Sequence, residues 1–369
     1  MGEQRIYRLG VVGLGEGRSI ISAALGSPRW ELRGMCDLDP QVCKAREEEF
    51  GVARWTTQYS ELLQDESIDV IAIYTPDQLH AAHIRQALEA GKHVICTKPL
   101  LLSLEGAGEL IELSDRSGKQ VFVGQSSRFF EPMIRQREDY EQGKHGELET
   151  MEAHYITDGR WFLERGWSRQ PGFSWMYNFM IHAVDLVCWY MPDIVEVTGF
   201  GRSSSTNRAY GVEAWDSMKF LLRDREGRTA LASGNYTLPT LGRDIEPSIA
   251  CALRGTSGSS RSEYLNLQYV THFTGEGKQV HRYDDKHGYY FRFEGESHHA
   301  GEYQNYIEYF ARCLDRGETP APDIREGVHT IAVMEAMLRS ARDGGRLVAV
   351  REVLDEYGLS DRLSNEGMN

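Results

Sequence analysis

The chain has 369 residues, 41% apolar and 26% charged, and no tract biased enough for a fibrous or disordered protein, so two globular domains are expected. Its 41 basic and 55 acidic side chains give a formal charge of −14, which repels a phosphate backbone and disfavours nucleic acid as a partner.

The first third alternates short apolar runs with segments of helical period, the pattern of a parallel sheet covered by helices. Ile6 to Val12 reads as a strand entered directly from the N-terminus, so no secretory leader is expected, and no stretch reaches the length of a membrane span. A helical stretch follows to about Leu25, then a strand from Glu31 to Cys36 and a helix from Pro40 to Phe50. Asp69 to Tyr74 reads as a third strand, Asp77 to Ala90 as a helix capped by Asp77 and closed by Gly91, and His93 to Cys96 as a fourth strand. Leu104 to Ser117 is a helix ended by Gly118, and Gln120 to Gly124 a further strand.

The period then changes, which places a boundary near Arg128. A dinucleotide-type α/β domain is expected over 1–127, and an α+β domain for substrate binding and oligomerisation over 128–369. Leu148 to Thr157, Ile194 to Gly201, Met218 to Arg223, Thr229 to Thr237 and Ile249 to Arg254 predict an open, largely antiparallel sheet. Helices are expected at Tyr177 to Met191, Gly301 to Arg316 and Arg325 to Asp343, and a short strand at Leu347 to Val350. The six cysteines, Cys36, Cys43, Cys96, Cys188, Cys251 and Cys313, form no C-x-x-C pair and read as reduced thiols, hence a cytoplasmic protein.

Gly13-Leu14-Gly15-Glu16-Gly17-Arg18 follows the first strand, where small residues let the backbone approach a pyrophosphate at a helix N-terminus. Arg18 holds the position of the third glycine, which predicts looser helix packing or a guanidinium that pairs with phosphate. A glycine cluster alone also suits a plain turn. Asp37, ending the second strand, adds a carboxylate that accepts ribose hydroxyls and repels a 2′-phosphate, so the cofactor is read as NAD rather than NADP. Asp39 suits a helix cap. A Rossmann fold and hydride chemistry follow from strand, loop, helix, strand and acid in that order.

Strand ends should border the nicotinamide half of such a site. They carry Tyr74-Thr75-Pro76 with His80, then Thr97-Lys98-Pro99, then Gln125. A lysine fixed before a proline can polarise or help deprotonate a hydroxyl, although a solvated loop lysine is the plainer reading. On the helix from Tyr177, Asn178, His182 and Asp185 lie near one face. The histidine suits taking a carbinol proton, and Asp185 suits orienting its ring. A satisfied core histidine is the alternative.

Together these residues resemble the glucose-fructose oxidoreductase, inositol dehydrogenase and rhizopine-catabolism family, Gfo/Idh/MocA. The features are the glycine loop with Asp37, Thr75-Pro76 through His80, Thr97-Lys98-Pro99, Val123-Gly124 leading to Arg128-Phe129, and Asn178-x-x-x-His182-x-x-Asp185. The resemblance implies that Lys98 and His182 are the catalytic pair, that Asn178 contacts substrate, and that substrates are sugars, polyols or their derivatives. Thr97 and Asn178 replace the family's usual Glu and Asp, which implies a substrate other than a simple inositol.

Arg128, Arg160 and Trp161 are further candidates for the substrate, and Trp161 with Phe162, Trp167 and Trp175 suits stacking on a sugar ring or plain packing. His298 and His299 with Asp284, Asp285 and His287 lack dependable ligand spacing, so no metal is expected. Tyr289 to Phe293 reads as a strand or a subunit contact, and the open sheet as the surface of a homodimer or homotetramer. Two other functions stay open: a redox-assisted lyase or glycosidase without net cofactor turnover, and a non-catalytic sensor.

Overall fold

The structure, a computed structural model, describes residues 5–164, 168, 173–242, 244–283 and 301–363. Strands buried along nearly their whole length must be covered on both faces, and β1 (Tyr7–Val12) is such a strand. After it come α1 (Arg18–Gly26), β2 (Trp30–Cys36), α2 (Pro40–Phe50), β3 (Trp55–Thr56), α3 (Tyr59–Gln64) and β4 (Val70–Ile73). Next are a 3₁₀ turn (Asp77–Leu79), α4 (His80–Glu89), β5 (His93–Thr97), α5 (Ala107–Ser117) and β6 (Val121–Gly124). The strands pair in parallel in the order β3-β2-β1-β4-β5-β6. The order reverses between β1 and β4, and ligands of such sheets bind beyond the carboxyl ends at that switch point.

Local chemistry explains most boundaries. Pro40 opens α2 and Asp39 caps it, its Oδ1 accepting from Gln41 N at 2.8 Å. Asp77 does not cap α4: it opens the 3₁₀ turn, and α4 starts three residues later without a side-chain cap. The pair β3 and α3 was not foreseen, because a two-residue strand carries no alternation to detect.

The second unit contains α6 (Glu131–Glu141), β7 (Leu148–Ile156), α7 (Arg160–Glu164), a π turn (Met176–Met180), α8 (Ile181–Tyr190), β8 (Ile194–Arg202) and α9 (Ser205–Ala209). Then come β9 (Ser217–Asp224), β10 (Thr229–Asn235), β11 (Ile249–Gly255), β12 (Gly258–Glu263), β13 (Gln268–Phe273) and β14 (Gly277–Arg282). Burial alternates strictly along β9, so one face of this sheet is covered and the other open. The covering element over β7, β10 and β11 is α8, every residue of which is buried except Trp189.

After α10 (Glu302–Arg316) the described chain continues through α11 (Ile324–Arg342), β15 (Val348–Ala349) and α12 (Val350–Glu356). β15 completes a nine-stranded sheet, ordered β14-β13-β12-β11-β7-β10-β9-β8-β15, in which only β7 and β10 pair in parallel. The chain divides into Met1–Phe129 with Asp285–His329, and Phe130–Asp284 with Thr330–Asn369. The first unit thus takes in α10, beyond the contiguous 1–127 read from the sequence. Its apolar stripe explains why: Phe310 stacks on Phe122 at 5.0 Å, and Trp30 Nε1 donates to Ile307 O at 3.1 Å. All six cysteines are buried and unbridged. Among the described residues no helix is long and apolar enough to cross a membrane.

Candidate active site

The loop after β1 turns at Gly13, whose φ of +85° suits glycine, and a Cβ there would lie 2.4 Å from the carbonyl carbon of Tyr74. At Gly15 an added Cβ meets nothing within 4 Å, so the loop backbone is open on that side. Gly17 N donates to Gly13 O at 3.1 Å, and a Cβ on Gly17 would fall 2.4 Å from that oxygen. The close approach of helix to strand is therefore made at Gly17, one residue before the position expected for it, and Arg18 does not loosen it. The Arg18 guanidinium is held by Glu49, with Nε 2.6 Å from Oε1.

Asp37 follows β2. Its Oδ2 accepts from Leu14 N at 2.8 Å and its Oδ1 from Asp39 N at 3.0 Å, so the acid is oriented by the glycine loop itself. The Leu14 side chain is fully buried, which leaves only its main chain toward a ligand, whereas Glu16 is exposed at the loop tip. Open backbone at Gly15, required glycines on either side and a carboxylate after β2 fit a dinucleotide with a free ribose 2′-hydroxyl.

Beyond β4, Tyr74 is buried, its hydroxyl 3.2 Å from that of Tyr306, so it supports the loop from inside and has only main chain to offer a cofactor. Thr75 Oγ1 lies 3.0 Å from His83 Nδ1, and Pro76 leads into the 3₁₀ turn. His80, expected at the cofactor, is instead fully buried between two main-chain oxygens, those of Thr75 and Pro99.

Lys98 follows Thr97, the last residue of β5, and precedes Pro99 through a cis peptide. Burial pulls its ammonium below the ordinary lysine value, while Asp77 and Glu16 oppose that shift. Asp77, read from the sequence as a cap, is thus an electrostatic partner of the lysine. Register places Gly124 of β6 opposite Thr97, so Gln125 follows on the strand next to the one leading into Lys98. Gln125 is buried and its Oε1 has no hydrogen-bond partner. Arg128, expected at the substrate, is buried on Glu326 at 2.8 Å, which gives it a structural role in the first unit.

In the second unit His182, Asn178 and Asp185 are all buried, at 8%, 6% and 0% exposure. The helix expected to run unbroken from Tyr177 instead opens as the π turn that holds Asn178, so the spacing from Asn178 to His182 crosses a change of helix type. Sequence reasoning missed Tyr155, at the end of β7, whose ring meets the His182 ring edge-on at 5.6 Å. Burial along β7 does not alternate regularly and its last three residues are all half-buried, so no periodic signal marked Tyr155. Trp175 is core: fully buried, stacked on Tyr236 at 5.3 Å, and donating from Nε1 to Asn207 Oδ1 at 3.0 Å. Trp161 is exposed, and Arg160 pairs with Asp158 at 2.7 Å, a bond that holds the Asp158 carboxyl below its usual range.

Trp167, the Asp284, Asp285, His287, His298 and His299 group, and Tyr289 to Phe293 lie outside the described residues. Among the described residues no group of three or more His, Cys, Asp or Glu side chains is placed to hold a metal ion.

Two family profiles cover most of the chain. An oxidoreductase family with an NAD-binding Rossmann fold matches residues 7–125, and that family's C-terminal alpha/beta domain matches 137–350. The chain is 29% identical over 212 residues to a 1-carboxy-3-chloro-3,4-dihydroxycyclohexa-1,5-diene dehydrogenase of Comamonas testosteroni, covering 55% of this chain and 53% of that one. Such matches to the first curated relatives span only 35% to 53% of their length. The scyllo-inositol 2-dehydrogenase (NAD(+)) of Bacillus subtilis is 25% identical over 344 residues, 92% of this chain and 94% of its own. A levoglucosan dehydrogenase solved with NADH and levoglucosan shares the fold, with a TM-score of 0.81 over 94% of this chain and 99% of that one at 19% identity.

Proposed function

Because the chain belongs to the Gfo/Idh/MocA oxidoreductase family through both of its domains, we propose that it is an NAD-dependent dehydrogenase acting on a secondary hydroxyl, or the matching ketone, of a sugar, polyol or related derivative. The observation that carries this reading is Lys98. It stands at a strand end beside the switch point, and burial loosens its proton.

Bound NAD supplies the hydride acceptor or donor. Gly13, Gly15 and Gly17 give its pyrophosphate access to the backbone, and Asp37 receives the ribose hydroxyls. Gln125 presents its open carbonyl, and Thr75, Pro76 and Thr97 line the loops with their main chain. Lys98 hydrogen-bonds the reacting oxygen, His182 takes the hydroxyl proton, and Asp185 orients that ring. Asn178 binds a neighbouring hydroxyl as a neutral group, with Tyr155, Trp161 and Arg160 completing the substrate side. The relatives named for an inositol and for a dihydroxycyclohexadiene share ring hydroxyls, which supports cyclic polyols as the substrate class.

The test is a panel of sugars, inositols and glycosides followed by both NADH absorbance and product analysis. Ketone formed in step with NADH supports the dehydrogenase. Product without net NADH would establish a redox-assisted lyase, and binding without product a sensor. A fluorescence titration in which NADPH binds tighter than NADH removes the role given to Asp37.

Self-association is assigned to the open face of the nine-stranded sheet. Register places Phe200 (65% exposed) and Leu221 (48% exposed) on that face of neighbouring strands. Leu221→Asp should convert a dimer to a monomer in sedimentation.

A further inference from the structure

His80 opens α4 and is fully buried, with Nδ1 2.7 Å from Pro99 O and Nε2 2.9 Å from Thr75 O. A main-chain oxygen only accepts, and a neutral imidazole has one N–H. Both contacts are hydrogen bonds only when the ring carries two protons. With one proton, a nitrogen lone pair is pressed against an oxygen lone pair.

The two oxygens belong to the loops that carry the cofactor half of the site: Thr75 follows β4, and Pro99 follows Lys98. Three charged or titratable groups face the ring, Asp77 from the 3₁₀ turn, Lys98 from the end of β5 and His83 from α4. Burial and Lys98 favour the neutral ring, whereas Asp77 and the two carbonyls favour the charged one, and the net effect is a value below the ordinary 6.5 of histidine.

We propose that His80 is a proton-operated staple: doubly protonated it ties the Lys98-Pro99 turn to the Thr75 loop, and singly protonated it holds one of them. It is a positioning residue, acting through the main chain on either side of Lys98, and the proposal rests on the role given to Lys98 above. The neutral ring dominates near neutrality, where one loop is released. The staple closes as the pH falls through the ring's titration, on the acid side of 6.5.

The experiment compares full-length wild type and His80→Gln across about pH 5 to 8. NADH affinity is read by tryptophan fluorescence, and the ring protons of His80 are counted by nitrogen-15 NMR. One hydrogen bond gained predicts that wild-type affinity changes roughly 5-fold with an acidic midpoint. The same midpoint should appear in the NMR titration and be absent from His80→Gln. Superimposable pH profiles for the two proteins, or a ring with a single proton throughout, overturn the staple. Should His80→Gln fail to fold, the wild-type NMR count decides alone. A wild type that binds no NADH at any pH sinks the dehydrogenase reading, whereas normal binding without an inflexion sinks only the staple.

Discussion

The two units build their halves of the proposed chemistry from different material. In the first, the working parts are main chain: a glycine loop held at Gly13 and Gly17, an acid oriented by the Leu14 amide, and strand ends in fixed register. In the second they are buried side chains, Asn178 in the π turn and His182 and Asp185 on α8 after it, with the Tyr155 ring against that of His182. A main-chain site fixes a cofactor common to many reactions. A side-chain site can be altered residue by residue, so on the proposed reading substrate choice follows those side chains.

That contrast can be broken at several points. The largest effect is expected at Lys98, a side chain inside the main-chain half. Lys98→Met should lower kcat by about 10² to 10⁴-fold, yet leave NADH affinity nearly intact. Burial of the ammonium opposes folding, so the melting temperature should hold or rise; a large fall would mean that Lys98 is structural. Gly13→Ala should act in the opposite sense. The left-handed backbone and the contact with Tyr74 predict destabilisation on the order of 3 kcal/mol and loss of NADH binding, measured by denaturant titration and fluorescence.

Asp323, whose Oδ1 accepts from Glu326 N at 2.9 Å, tests whether the frame of the first unit is pH-sensitive. Burial pushes its carboxyl up from 3.8 to about 6. A raised carboxyl contributes stability that is complete below the unfolded value and is lost as pH rises through the folded one. Stability should therefore decline between about pH 4 and 6, by up to about 3 kcal/mol, and Asp323→Asn should flatten that decline. The smallest effect is expected at Tyr155→Phe, which keeps the ring against His182 and removes the hydroxyl. A rise of roughly 5-fold in KM for the polyol, with NADH affinity unchanged, would place that hydroxyl on the substrate.

The sequence was most informative where geometry follows from local rules. Parallel strands buried on both faces, Pro40 and Asp39 at a helix start, and glycines in a tight loop all act within a few residues. It was less informative where long-range contacts decide. Whether Arg128 faces a ligand depends on Glu326, and whether Trp175 is a platform or core depends on Asn207 and Tyr236. The π turn escaped for a related reason, since its apolar residues read equally well as α-helix.

α10 has a consequence during synthesis. Its Tyr306, Ile307 and Phe310 cover Trp30, Tyr74 and Phe122, yet they leave the ribosome long after those three residues. At ordinary elongation rates the apolar face waits roughly 10–40 s for its cover. Until then Trp30, Tyr74 and Phe122 of the nascent first unit lack the cover that α10 provides. A fragment ending at residue 127 should accumulate as aggregate, and co-expression of residues 301–329 should return part of it to solution.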